Sequence, residues 1–360
     1  MSLTVLSVAY SLAPPVGPDA VGGAEQVLSQ LDHGLVAAGH RSLVVACEGS
    51  TVAGILVPVP AAKGVLDEAA KAGALEHHRR AIADALDRWP VDVVHLHGID
   101  FHDTLPPPGP PTLATLHLPP AWYPPEALRP SRPDTWLHSV SAAQHAACPS
   151  SPALLPPIEN GVPVEALEAR HAKRGFALML GRICAEKGVH LAIEAAKRAE
   201  VPLLIAGEVF AYEAHQRYFD EEVAPRLDRH RRFLGPVGFE RKRRLLTAAR
   251  CLLVPSLAPE TSSLVAREAN ACSTPVIAFP NGALAEAVDH GRTGFLVESV
   301  EAMAEAIGAA RRLDPAECRR VARERFDQRR TISRYLDLYA DLARRVPRTT
   351  WVHAGWRGAA

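Results

Sequence analysis

Short apolar segments alternate with amphipathic helical segments along most of the chain. In the first half, residues 3–10, 42–48, 55–60, 91–98 and 111–118 are strand-like, whereas residues 23–40 and 67–89 have helical periodicity. Apolar runs of this length, separated by helices, are typical of buried parallel strands whose sheet is covered by helices on both faces. The alternation therefore predicts an α/β fold with a doubly wound parallel sheet.

A second series of the same kind follows residue 175. Its strand-like runs are 176–182, 201–208, 231–238, 251–257, 274–279 and 294–297, and its helical segments include 188–199, 241–251 and 283–289. A chain of 360 residues exceeds the usual size of one core. We therefore expect two Rossmann-like domains, 1–162 and 163–327, facing each other across a cleft. Helix 328–345 is expected to cross back to the first domain, before a tail at 346–360.

The composition argues against several cellular settings. The chain has no run of about 18 apolar residues, which predicts no membrane-spanning helix. The N-terminus lacks the basic region of a signal peptide. The six cysteines show no CxxC or CxxH spacing, so no structural zinc is expected and the cytoplasm is the expected location.

Charge is unevenly distributed although the formal net charge is zero. Residues 1–150 carry 8 basic and 14 acidic side chains, a net of −6, and the remainder carries 32 basic and 26 acidic ones, a net of +6. An acidic first half disfavours nucleic acid and anionic lipid. We expect no nucleic-acid partner, while peripheral membrane contact stays open. The basic second half is compatible with an anionic ligand.

Glu260 and Glu268 lie eight positions apart in a segment that reads as the start of a helix. The intervening residues that would cap or open this helix are Thr261, Ser262, Ser263, Leu264 and Val265. Backbone N–H groups at a helix start attract phosphate. Carboxylates repel phosphate and are free to bind hydroxyls, so the pattern suits a sugar nucleotide. The spacing alone is more often structural than functional.

Two cations follow the first strand of the second series. Arg182 and Lys187, after Gly181, lie near a helix start, where positive charge opposes the helix dipole. An anion at the same place explains them better than a solvated helix start. Gly22 and Gly23 similarly follow the first strand of the chain. Neither G-x-G-x-x-G nor G-K-[ST] is present, which disfavours a dinucleotide enzyme or a P-loop ATPase; a tight turn is the equal alternative.

Three histidines end strand-like runs of the first half. We interpret His95 as a core histidine, leave His97 open, and favour His117 as a hydrogen-bond donor to a substrate. No metal-ligand spacing and no DxD triplet for Mg²⁺-diphosphate occur in the sequence. The expectation is therefore a site that needs neither metal nor cofactor.

The motifs GGAE, T-x-H, ENGV, GR-x4-KG, E-x7-E and GALAEAV…GRTGFLV occur in this order. Over nearly its full length the chain resembles the retaining glycosyltransferases of the GT4 type (glycosyl transferases group 1), which have the GT-B fold. The resemblance implies that Arg182 and Lys187 contact the donor diphosphate, Glu260 the donor sugar and Glu268 the ribose. His117 matches a histidine near the transferred sugar, and Gly23 a loop that touches phosphate and acceptor.

These patterns assign candidate residues to three roles. The candidate catalytic residues are Arg182, Lys187, Glu260 and His117. The candidate donor-binding residues are Gly22, Gly23, Gly181, Arg182, Lys187, Glu260, Thr261, Ser262, Ser263, Leu264, Val265 and Glu268. The candidate acceptor-binding residues are Glu25, His97 and His117.

The resemblance implies a hexosyltransferase. It would move a sugar from a UDP- or GDP-sugar to a hydroxyl of a small molecule, glycan or lipid-linked saccharide. The implied mechanism is metal-independent front-face displacement with retention. Thr261-Ser262-Ser263 departs from a common Pro-Phe-Gly and leaves the donor sugar open, and Ser273 replaces a common Gly. The alternatives are an NDP-sugar 2-epimerase of the same architecture and a sugar-nucleotide-binding protein without turnover.

Overall fold

Two α/β units divide the chain, whose computed structural model describes residues 2–62, 64, 66–169 and 171–346. Asn160–Arg330 forms the second unit, and the residues before it join those from Thr331 onward in the first. The predicted boundaries at 162 and 327 lie three residues from this division. The predicted tail, apart from its first residue, lies outside the described residues.

The first unit is built on a seven-stranded parallel sheet. Its elements are β1 (Thr4–Val8), α1 (Gly23–Ala37), β2 (Arg41–Cys47), β3 (Ile55–Val59), α2 (Glu68–Arg88), β4 (Val93–Leu96), β5 (Thr112–Leu116), β6 (Thr135–Ser139), α3 (Ala142–Ala147) and β7 (Leu154–Leu155). The strand order is β3-β2-β1-β4-β5-β6-β7. Every residue of β1, β4 and β5 is buried, which explains why these segments read as continuous apolar runs.

The second unit repeats the architecture with six parallel strands. Its elements are α4 (Val164–Leu167), β8 (Ala177–Leu180), α5 (Val189–Arg198), β9 (Leu203–Ala206), α6 (Glu213–Tyr218), β10 (Arg231–Phe233), α7 (Phe239–Ala248), β11 (Cys251–Val254), α8 (Leu264–Ala271), β12 (Val276–Ala278), α9 (Leu284–Ala287), β13 (Gly294–Leu296), α10 (Val300–Ala309) and α11 (Pro315–Arg325). The strand order is β10-β9-β8-β11-β12-β13.

The structure confirms the predicted α/β class with two Rossmann-like parallel sheets. Sequence patterns missed strands β6 and β7 and helices α3, α4, α6, α10 and α11. None of the described helices combines the length and the apolar composition that crossing a membrane requires.

Strand order reverses at one point in each sheet. In the first unit the reversal lies between β1 and β4, and in the second between β8 and β11. Connections leave these paired strands in opposite directions, which opens a crevice at their carboxyl ends where ligands of doubly wound sheets bind. The strand order therefore predicts a ligand site at the segments that follow β8 and β11 in the second unit.

The last helix, α12 (Gln328–Arg345), confirms the predicted return of the chain to the first unit. Its buried residues are Thr331, Tyr335, Tyr339 and Leu342. Spacings of four, four and three place them on one face of the helix. Thr331 donates to the backbone carbonyl of Glu159 at 2.7 Å, which fixes the start of this face on the first unit.

A buried chain of polar groups ties α12 to the first sheet. Tyr339 Oη lies 2.6 Å from His95 Nδ1, and His95 Nε2 lies 2.6 Å from Thr115 Oγ1. Thr115 Oγ1 lies 2.7 Å from His138 Nε2, and His138 Nδ1 lies 3.0 Å from the carbonyl oxygen of Ser139. His95 is thus the bonded core histidine that the sequence predicted, whereas His138 and both tyrosines were missed.

One backbone carbonyl sets the direction of every bond in this chain. The Ser139 carbonyl can only accept, so His138 donates from Nδ1 and accepts at Nε2 from the Thr115 hydroxyl. Thr115 then accepts from His95 Nε2, which leaves His95 Nδ1 to accept from the Tyr339 hydroxyl. Burial lowers the pKa of both histidines and keeps them neutral, as this order requires.

Tyr339→Phe is expected to destabilise the protein more than Tyr335→Phe. Removing the Tyr339 hydroxyl leaves His95 Nδ1 buried without a donor, which costs about 1–3 kcal/mol. The Tyr335 hydroxyl lies 3.4 Å from Thr115 Oγ1, which is long for a hydrogen bond. Loss of this contact should cost about 0.5 kcal/mol or less. Urea unfolding of both variants measures the difference. Equal losses would show that the directed chain contributes nothing specific.

Candidate functional site

The segments that follow β8 and β11 meet at the carboxyl edge of the second sheet. A turn at Ala185–Lys187 ends at Gly188, whose φ is +63° and whose added Cβ would lie 2.2 Å from the carbonyl oxygen of Pro255. Only glycine allows this approach without displacing backbone. Leu257 also donates its N–H to the Glu186 carbonyl at 2.8 Å. The two loops are thereby held side by side.

This contact brings Lys187 and Glu260 together. Lys187 Nζ lies 2.5 Å from Glu260 Oε1, and the Ser256 hydroxyl donates to the same oxygen at 2.5 Å. The two side chains are only 24% and 10% exposed. Glu260 Oε2 accepts no hydrogen bond from the described residues, so one carboxylate oxygen is oriented and available.

Glu260 is ionised despite its burial. Burial opposes ionisation, but the Lys187 ammonium, its hydrogen bond and that of the Ser256 hydroxyl together hold the pKa of Glu260 below its ordinary value of 4.5. The positive charge of Arg182 acts in the same direction. At neutral pH the side chain is an acceptor of hydrogen bonds and a poor proton donor.

Gly282 fixes the backbone of Glu260. The N–H of Ala283 donates to the Glu260 carbonyl at 2.8 Å, and a Cβ on Gly282, whose φ is +62°, would lie 2.3 Å from that carbonyl oxygen. The loop after β12 therefore packs directly on the Glu260 backbone. The carboxylate is positioned by a rigid neighbour as well as by Lys187.

Arg182 lies at the same edge, two residues after β8. Its side chain is half-buried and forms no hydrogen bond or ion pair with the described residues. Its charge nevertheless acts on the carboxylates of Glu260 and Glu186. Of the two predicted donor-site cations, Lys187 is engaged by a carboxylate, whereas Arg182 has no partner within the described part of the chain.

The start of α8 differs from the prediction. Thr261, Ser262 and Ser263 were expected to cap the helix with their hydroxyls, but the N-cap Ser263 makes no side-chain cap bond. The hydroxyls of Ser262 and Ser263 are buried without a hydrogen-bond partner among the described residues. The capping prediction was wrong because Ser263 adopts φ +51°, a left-handed conformation that differs from the extended one of a capping residue. Leu264 and Val265 open the helix as predicted.

This helix start combines the strained backbone of Ser263 with two hydroxyls, its own and that of Ser262, that are unbonded among the described residues. A non-glycine residue in the left-handed region costs of order 1–3 kcal/mol and persists only where its surroundings hold it. Unbonded buried hydroxyls are likewise uncommon. Both features lie beside Glu260 in sequence, in the segment that the sequence selected for the donor.

Glu268 lies one turn into α8, which begins at Leu264. Its Oε1 accepts from Lys242 Nζ of α7 at 2.5 Å, and the side chains are 4% and 10% exposed. The sequence missed Lys242, which belongs to a run of basic residues typical of a solvated helix face. The pair places a second oriented carboxylate at the same edge of the sheet.

The first unit carries a separate group of predicted residues. Gly22 precedes α1, which begins at Gly23, and the carboxylate of Glu25 folds back over Gly22. A Cβ on Gly22 would lie 1.7 Å from Glu25 Oε2. Glu25 is only 7% exposed, which makes Gly22 a requirement for this close contact.

His97 and His117 follow the ends of β4 and β5. His97 Nδ1 lies 3.0 Å from His117 Nε2, and their rings stack with centroids 5.3 Å apart. His97 is buried and His117 is half-buried. Burial, with a smaller effect of His138, lowers the pKa of His117 to about 3, so the ring is neutral at pH 7. As a neutral ring, His117 can donate one hydrogen bond and accept another.

The sequence matches two family descriptions, one in each unit. Residues 21–154 match Glycosyltransferase Family 4, and residues 174–311 match Glycosyl transferases group 1. Over 153 residues the chain is 37% identical to D-inositol 3-phosphate glycosyltransferase of Saccharomonospora viridis, covering 40% of this chain and 35% of that protein. Matched segments span less than half the length of such curated relatives.

Solved structures match over nearly the whole chain. AviGT4, a glycosyltransferase involved in avilamycin A biosynthesis, is 26% identical with a TM-score of 0.71, covering 95% of this chain and 98% of its own. Anabaena HepE, solved in complex with UDP and glucose, is 16% identical with a TM-score of 0.70, covering 94% and 100%. At that identity the likeness to HepE concerns the fold alone.

Lys242→Met is expected to destabilise the second unit by about 3–5 kcal/mol. The change leaves the Glu268 carboxylate buried without its cation, whereas an intact buried pair contributes little net stability. The double variant Lys242→Met/Glu268→Leu should therefore recover most of the loss. Thermal and urea unfolding at pH 7 measure both. A double variant as unstable as the single one would contradict a simple ion-pair origin of the loss.

Proposed function

The chain belongs to the GT-B-fold glycosyltransferases of group 1 and family 4, and we propose that it transfers a sugar from a nucleoside-diphosphate sugar to a hydroxyl acceptor with retention at the anomeric carbon. The proposed donor site is the carboxyl edge of the second sheet. Arg182, Lys187 and Glu260 lie on the segments after β8 and β11, and Glu268 lies on α8, the helix that follows β11.

One observation carries this proposal. An ionised, buried carboxylate, Glu260, is held by Lys187 at the strand-order reversal, and the charge of the Arg182 guanidinium acts on it. The carboxylate offers an acceptor for sugar hydroxyls, and the guanidinium offers a fork of donors for a diphosphate. Both groups are needed by a sugar nucleotide, whereas a free phosphate would be repelled by the glutamate.

In the proposed reaction the acceptor oxygen attacks the anomeric carbon from the face that the diphosphate leaves. The new bond joins the acceptor oxygen to the anomeric carbon, the bond to the β-phosphate oxygen breaks, and that oxygen takes the acceptor proton. Arg182 and Lys187 stabilise the charge that develops on the leaving diphosphate. Glu260 binds sugar hydroxyls and Glu268 the ribose. Since side-chain cations supply the positive charge, we propose that the reaction needs no metal.

UDP is the proposed nucleotide. The complexes of HepE with UDP and with UDP-glucose make UDP-glucose the first donor to test, followed by a GDP-sugar. The acceptor is proposed to bind the first unit near Glu25, His97 and His117. Residues 1–150 carry a net charge of −6, which favours a neutral or amine-bearing hydroxyl compound. The name of the S. viridis relative adds D-inositol 3-phosphate to the acceptors worth testing.

Two other functions fit the same architecture. An NDP-sugar 2-epimerase needs protein groups that remove and return a proton at the sugar. Glu260, held ionised by Lys187, is a poor proton donor for that chemistry. A binding protein without turnover would use the same charged groups to hold a sugar nucleotide, so turnover itself separates it from the transferase.

Incubation of the purified chain with UDP-glucose or a GDP-sugar, with and without an acceptor panel, separates these functions. The transferase releases nucleoside diphosphate only with an acceptor, and NMR of its product shows the donor's anomeric configuration. An inverted product would refute retention. Epimerised donor or binding without turnover would refute the transferase, and loss of turnover in EDTA would refute metal independence.

Arg182→Ala is expected to lower kcat by about 10²–10³-fold, because a preorganised donor to developing charge is typically worth that much. Arg198→Ala is the matched control. It removes an exposed arginine from α5 that pairs with the surface glutamates Glu194 and Glu301, and it should keep wild-type kinetics. Steady-state kinetics with the active donor measure both. Comparable losses in the two variants, or none in Arg182→Ala, would exclude a role for Arg182 at the diphosphate.

A further inference from the structure

Cys184, Glu186 and His215 lie together in the second unit. One potential ligand atom from each, the Cys184 sulfur, a Glu186 carboxylate oxygen and a His215 ring nitrogen, lies within 4.8 Å of the other two. We propose that these three side chains form a zinc site, with a fourth position open to water. The proposal does not rest on the proposed transferase activity, although Cys184 and Glu186 lie in the same loop as Arg182 and Lys187.

The fold brings these residues together at one edge of the sheet. Cys184 and Glu186 follow β8, and His215 belongs to α6, which follows the neighbouring parallel strand β9. The N–H of Ile183 donates to the Glu208 carbonyl at 2.9 Å, which joins the two strand exits. His215 comes 29 positions after Glu186, so no short spacing motif could reveal the set.

His215 supplies the second observation that indicates a ligand. Its Nδ1 is buried and has no hydrogen-bond partner among the described residues, although a buried ring nitrogen is normally bonded. The rings of Phe210 and Tyr212 lie 6.3 and 5.2 Å from the imidazole, centroid to centroid. The neighbouring aromatic rings give this nitrogen no hydrogen-bond partner in place of water, whereas a metal ion would bind it.

The donor types select the metal. A thiolate, an imidazole and one carboxylate are ligands that zinc accepts, and three protein ligands with one open position are common at zinc sites. Mg²⁺ and Ca²⁺ prefer all-oxygen sites. The thiol of Cys184 now donates to the Arg182 carbonyl, with the sulfur 3.9 Å from the oxygen. Zinc binding would form the zinc–sulfur bond and release the thiol proton to solvent.

The geometry requires only a small contraction. Tetrahedral zinc with bonds of about 2.0–2.3 Å places ligand atoms roughly 3.3–3.8 Å apart. The distances between the three ligand atoms, now up to 4.8 Å, must therefore shorten by about 1 Å when zinc binds. Cys184 is fixed in the core, whereas Glu186 and His215 are half-buried and can rotate their side chains toward it.

Metal titration of the full chain, after removal of bound metal with a chelator, tests the proposal. Calorimetry should show one Zn²⁺ per chain, and Co²⁺ in its place should give the near-ultraviolet absorption of a cobalt–thiolate bond. Cys184→Ser should abolish that absorption. Glu186→Gln and His215→Asn should each weaken binding by tenfold or more, since even groups that only orient metal ligands cost about 10–100-fold.

Cys148→Ser is the control, because Cys148 is a partly buried thiol of the first unit outside this set. It should bind zinc like the wild type. Circular dichroism and unfolding of each metal-free variant check that it folds; if Cys184→Ser does not, the half-buried Glu186 and His215 variants decide. A wild type without the cobalt–thiolate absorption, or one unchanged by these substitutions, would overturn the proposal.

Discussion

All strands of each sheet run parallel, and this constraint determines where the chemistry of the molecule can lie. Parallel strands release the chain at one edge, so residues far apart in sequence meet there. Lys187 and Glu260 are 73 positions apart and Cys184 and His215 are 31 apart, yet each set forms at this edge of the second sheet. The donor-site residues and the proposed zinc ligands are both consequences of strand order.

Burial decides what the charged groups at that edge can do. The carboxylates of Glu260 and Glu268 are nearly inaccessible, and each is compensated by one lysine. A buried ion pair adds little net stability, but loss of one partner is costly, so these pairs fix carboxylate positions more than they hold the fold together. Arg182, which has no partner among the residues that the structure describes, adds nothing comparable to the folded state. Its position is better explained by an anionic ligand.

Regular elements and candidate residues were readable from the sequence, but pairings were not. Buried parallel strands leave unbroken apolar runs, and α12 was predicted with its observed bounds, Gln328–Arg345. The partner of Glu268 could not be predicted, because Lys242 lies within a basic run whose other members look equally solvated. The failed capping prediction has a different cause. The backbone of Ser263 is held left-handed by its surroundings, which local propensity does not encode.

The ion pair between Lys187 and Glu260 raises a question for the proposed function, since Lys187 is assigned to the donor diphosphate. An ammonium group has three N–H donors, and the structure uses one of them on a side chain, Glu260 Oε1. Lys187 can keep that bond while a second N–H points to a phosphate oxygen. Glu260 in turn keeps Oε2 for a sugar hydroxyl. The pair therefore needs no disruption when a donor binds, and it links the position of the sugar to that of the leaving diphosphate.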